Sequence, residues 1–223
     1  DELKEGQRIH DVNKAIGENG NILTVKYLKT QVSNEKDSGR LTAQNFDNLK
    51  GYIFEITQGT AKGNETYYLI NDKFNAKSIL NSQKGSQAEI DIDAKEEIER
   101  IKNRKVKSSW EIGVIGSERT IYLILFEREN DDMLASIVMK TPRKFVFKDY
   151  PAKYDETSTW RVDDGGTVYP DLYSILFASE SESGIVLGIK WLGAEGEVTT
   201  LFKENGNTFE EINIGTSRYT SPI

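Results

Sequence analysis

SWEIGVIGSERTIYLILFERENDDMLASIVMKTPRKFVFK, residues Ser109–Lys148, decides the fold class. It reads as three or four antiparallel strands in succession, broken by short polar turns at Gly116–Arg119 and Glu129–Asp132. Within it, Ile121–Phe126 carries no polar group except the Tyr122 hydroxyl. Alternate side chains of a strand point to opposite faces, so a run that is apolar throughout belongs to a central strand covered on both sides.

Working outward, the C-terminal side continues the pattern. Leu172–Ala178, Ile185–Leu192, Glu197–Lys203 and Thr208–Ile214 read as strands, and Asn205-Gly206-Asn207 is a hairpin turn between the last two. From Gly215 the tail is polar and expected to be loosely held. Tyr122–Glu129 and Tyr173–Glu180 share Tyr, Ile, Leu, Phe and Glu in register, either a duplicated hairpin or the common vocabulary of buried strands.

Toward the N-terminus the reading is mixed. A polar lead-in over residues 1–20 is expected to hold a short helix at Arg8–Ile16, followed by a strand at Ile22–Val32. Thr42 is placed to cap a short helix carrying Phe46 and Leu49. Tyr52–Thr57 and Thr66–Ile70 read as a hairpin, and Asn71–Gln87 is ambiguous. Asp93 with Glu96 reads as a capping box opening a helix to about Asn103, with Ile98 and Ile101 buried and Glu96 paired to Arg100. The fold class expected is therefore mainly β, an α+β chain with two or three short helices and antiparallel hairpins forming a barrel or β-sandwich. One domain over 1–223 is expected. The alternative divides a mixed half, 1–107, from an all-β half, 108–223.

Composition narrows the functions. A chain of 223 residues that is 37% hydrophobic and 10% aromatic can bury a substantial core. Its net charge of −7, with signs interleaved, opposes a phosphate backbone, so nucleic acid is not an expected partner. The one dense basic run, Lys102–Lys107, reads as a helix end. There is no cysteine, hence no disulfide or thiolate chemistry, and no apolar run reaches the 18 residues that a membrane span requires. The Asn- and Lys-rich, cysteine-free composition and a start at Asp1 suggest an exported bacterial protein whose leader has been removed, extracytoplasmic in location.

Phosphate loops, dinucleotide fingerprints, nucleophile elbows and HExxH are all missing, and His10 is the single histidine. No cofactor is expected. The informative stretch is the long connection 149–173, DYPAKYDETSTWRVDDGGTVYPDLY. It gathers Tyr150, Tyr154, Trp160, Tyr169 and Tyr173 with Asp155, Asp163, Asp164 and Asp171. Aromatic faces beside acceptors suit a sugar or the cations of a protein partner, and long loops in compact domains are often functional. The candidate ligand-binding residues are Tyr154, Trp160, Asp163, Asp164 and Tyr169; the same loop could instead plug one end of the sheet structure. Asp163-Asp164-Gly165-Gly166 offers a calcium alternative, with Asp163 and Asp164 as ligands but without EF-hand spacing. Trp110 and Trp191 are assigned to the core. Three functions follow: a non-enzymatic exported binding or structural module for a carbohydrate or protein, a carbohydrate-active hydrolase using a carboxylate pair, or an acidic protein-interaction or immunity-type protein.

Overall fold

A computed structural model describes residues 9–74 and 78–220. The polar lead-in before Ile9 and the last three residues of the tail lie outside this range. Fourteen strands make two sheets among the described residues.

The larger sheet has ten strands and is a nearly closed barrel. The stretch around Ser109–Lys148 forms β7 (Val106–Ile115), β8 (Arg119–Phe126), β9 (Asp132–Lys140) and β10 (Phe145–Lys153), an antiparallel meander. A second meander comprises β11 (Tyr173–Ser181), β12 (Gly184–Leu192), β13 (Gly196–Asn205) and β14 (Thr208–Tyr219). The turn between β13 and β14 uses Gly206 at φ +61°, a left-handed conformation that suits glycine.

Two seams join the meanders. One is spanned by β5 (Ile79–Leu80), paired with β11, and β6 (Ser82–Lys84), paired with β7; only Asn81 separates them. At the other, β10 and β14 meet in parallel at Phe147 and Thr208, and the Phe147 amide donates to the Asn207 carbonyl at 2.9 Å. That is the one paired register between these two strands among the described residues, and Lys148 of β10 also meets Glu211 of β14 at 3.7 Å.

Inward side chains fill the barrel: Ile121, Leu123 and Leu125 of β8, Ile137 and Met139 of β9, and Leu187 and Ile189 of β12 among them. The other face of β8, with Tyr122, Ile124 and Phe126, is covered by α1 (Ile92–Lys102) through Ala94 and Ile98. That covering is the physical reason Ile121–Phe126 is apolar on both faces. The cap of α1 is Asp91, not Asp93: its side chain accepts the Ala94 amide at 2.9 Å and also meets Lys140. Ile101 is exposed, and Arg100 pairs with Glu97 rather than Glu96. The basic run after the helix is absorbed locally, Lys102 by Asp149 at 2.6 Å, Lys105 by Glu99 at 2.5 Å and Arg104 by the Glu127 carbonyl at 2.8 Å.

The smaller sheet has the order β3-β2-β1-β4, with β1 (Val12–Ile16), β2 (Ile22–Gln31), β3 (Gly51–Gln58) and β4 (Tyr68–Asn71). It rests on the outer barrel wall, where Ile16, Tyr68 and Ile70 pack with Leu176, Phe177 and Leu201. Here three expectations are corrected. Val12–Ile16 is a strand. Phe46–Asn48 is a 3-10 turn flanked by Asn45. β3 and β4 are opposite edges of the sheet, because β1 pairs with both β2 and β4. The tail beyond Gly215 is likewise not loose, since β14 runs to Tyr219.

Candidate functional site

β10 extends to Lys153, so the long connection begins at Tyr154 and returns to a 3-10 turn at Pro170–Leu172. This loop packs Trp160 and Val168 against the barrel core. Its order comes from Asp164. Oδ1 accepts the amides of Thr159 at 2.8 Å and Gly166 at 3.1 Å; Oδ2 accepts those of Trp160 and Arg161, both at 2.7 Å. Asp155 does the same at the start of the loop, accepting the amides of Thr157 and Ser158. Those amides, together with the Thr157 hydroxyl, hold its carboxyl below the usual range.

Beneath the loop lies a cavity of about 960 Å³. Its walls include Ala135 of β9, Tyr150 of β10, Tyr173 of β11, Ile189 and Trp191 of β12, and Phe202 of β13. Period-two alternation aims these residues inward, and here the barrel interior is left unfilled. The loop contributes Trp160 and the buried Val168 as roof. Trp160 is anchored by its indole N–H, which donates to the Tyr150 carbonyl at 2.8 Å. Arg161 also lines it.

The electrostatics are unusual for so apolar a space. Burial raises the Tyr150 and Tyr173 hydroxyls above their ordinary value. At the rim, Glu197 is buried and held by Arg218 at 3.3 Å and by the Thr66 hydroxyl, while Asp163 and Glu195 are exposed.

Four of the five residues singled out from sequence line this cavity: Trp160 as roof, and Asp163, Asp164 and Tyr169 toward the mouth. Tyr154 stands apart, its ring under the Arg128 guanidinium at 4.0 Å. Asp163 has φ +64° and an exposed side chain, and Asp164 directs both oxygens at amides. Among the described residues no cluster of three metal-type side chains forms. His10 is exposed and edge-on to Tyr27, in the smaller sheet. The residues that sequence reasoning missed are Arg161, an arginine in an acidic loop, and Trp191, which was assigned to the core. Their signal is tertiary, because only the unfilled barrel end distinguishes a wall from a core position.

Compared with known proteins, the chain matches no family model, no curated sequence and no solved structure.

Proposed function

We propose that this chain is a non-enzymatic binding module that takes a small organic ligand into the aromatic-lined end of its barrel. The observation that carries the reading is the cavity itself. Its volume falls within the range typical of small-molecule sites, its walls are mostly aromatic and aliphatic, and a few polar heads converge in it. The loop that roofs it is held by four hydrogen bonds from backbone amides to one carboxylate, which supports a preformed site. A catalytic carboxylate pair has less support. The carboxylates at the cavity that are not exposed, Asp164 and Glu197, are engaged by amides and by Arg218 with Thr66. The extracytoplasmic setting rests on composition alone and is tested by cell fractionation.

The test is a thermal-shift and tryptophan-fluorescence screen of purified protein against small organic acids, amides, alcohols and oligosaccharides. Trp160 and Trp191, two of the three tryptophans, line the cavity, so a bound ligand quenches or shifts their emission. At a hundredfold excess over Kd the midpoint rises by about 5–10 °C. Trp160→Ala abolishes the response while the circular dichroism stays unchanged. A screen in which no compound moves either signal sinks the reading. A response that survives Trp160→Ala also sinks it.

A further inference from the structure

Asparagine is a thermolabile residue, and a glycine after it leaves the following backbone amide unhindered by any side chain. The chain has two Asn-Gly pairs, Asn19-Gly20 and Asn205-Gly206. We propose that Asn205 is a site of self-modification by deamidation, and that the change loosens the seam between β10 and β14. The reaction needs only the chain and water. The Gly206 amide nitrogen attacks Cγ of Asn205, and the Cγ–Nδ2 bond breaks. The side-chain nitrogen leaves as ammonia, taking the proton given up by the Gly206 amide. Water then opens the five-membered imide at either carbonyl, which leaves aspartate or isoaspartate in place of asparagine.

The two pairs differ in what holds them. The Gly20 amide is occupied, donating to the Gly17 carbonyl at 3.0 Å. Its turn is tied at both ends, by Gly17 to the Asn21 carbonyl at 2.8 Å and by Asn21 to the Glu18 carbonyl at 3.2 Å. Gly20 is also packed, since a Cβ there would lie 2.9 Å from Cγ2 of Ile79. At the second pair, Asn205, Gly206 and Asn207 are all exposed. The Gly206 amide donates to no acceptor among the described residues, and a Cβ on Gly206 would meet nothing within 4 Å. The nucleophile is free, and open to the water that must deprotonate it and hydrolyse the imide. One bond restrains the carboxamide: Nδ2 of Asn205 donates to Glu210 at 2.6 Å, a solvent-exposed contact in which water can replace either partner.

The product opposes the fold around it. A carboxamide that donates to Glu210 becomes a carboxylate facing it, so an attraction across the hairpin turns into like-charge repulsion. Isoaspartate also adds one atom to the backbone where the two-residue turn closes the Asn205–Thr208 pair. That turn supplies contacts to the β10 side of the seam. The Asn207 carbonyl takes the Phe147 amide at 2.9 Å, beside the parallel pairing of Phe147 with Thr208, and the Gly206 carbonyl takes the Lys144 ammonium at 2.9 Å.

The test is ageing of the purified protein in mildly alkaline buffer. Peptide mapping by mass spectrometry follows the mass gain at both asparagines and separates isoaspartate from aspartate. A parallel incubation in urea removes the fold. Native protein modifies Asn205 at least fivefold faster than Asn19, whereas in urea the two rates come within about twofold. Asn205→Gln, which would need a six-membered ring, stays unmodified at that position. Native-state hydrogen exchange then reads the seam. The Phe147 amide exchanges at least threefold faster in the modified protein than in fresh protein, and aged Asn205→Gln shows no such change. Equal rates at the two asparagines of the native protein, or an Asn205 that stays intact while the urea sample reacts, overturn the site. A Phe147 amide equally protected before and after modification overturns its effect on the seam.

Discussion

Asp164 is where order in the loop is concentrated, and its removal can be worked through. Asp164→Ala deletes one acceptor group that serves four backbone amides, those of Thr159, Trp160, Arg161 and Gly166. Hydrogen bonds to an ionised partner contribute about 1.5–3 kcal/mol each. Simple addition overstates the loss, because Asp164 is half-buried and the released amides reach water in part. With that discount the cost is about 2–4 kcal/mol. Asp164→Asn recovers less than half of it, since the amide nitrogen then faces two N–H donors. Two measurements check the reasoning together: the urea midpoint of unfolding, and native-state hydrogen exchange at residues 159–161 and 166. The expected result is a lower midpoint with unchanged slope, loss of protection at those four amides and loss of ligand response. A variant within about 0.5 kcal/mol of wild type, with protection retained, refutes the account of how the loop is held.

Two further outcomes concern other parts of the molecule. Asp91→Ala removes the α1 cap and costs about 1 kcal/mol at neutral pH. The Lys140 ammonium and the Ala94 amide hold the Asp91 carboxyl below its ordinary value, so its contribution is present above pH ~4 and fades as pH falls through the folded value, narrowing the gap between variant and wild type. Burial, first among its causes, raises the Tyr150 hydroxyl. The unfolded chain therefore releases this proton first, and stability declines as pH rises above about 10. Tyr150→Phe flattens that alkaline decline in a series of urea titrations, and an unchanged slope means that Tyr150 is not the group responsible.

How much of this was written in the sequence differs by element. Ile121–Phe126 gave a central strand covered on both faces, because periodicity reports burial directly. In the small sheet Gln58–Glu65 resembles a hairpin loop, yet β4 pairs with β1 and lies on the edge opposite β3. Local signals carry no record of such nonlocal pairing. Asp91 and Asp93 are both plausible caps two residues apart, and a contact from β9, through Lys140, accompanies the one that was used. In the loop, composition drew attention to Trp160, Asp163, Asp164 and Tyr169, which do gather at the cavity. It could not show that Asp164 turns back on its own backbone, where its two oxygens take the amides of four loop residues that only the folded chain brings together.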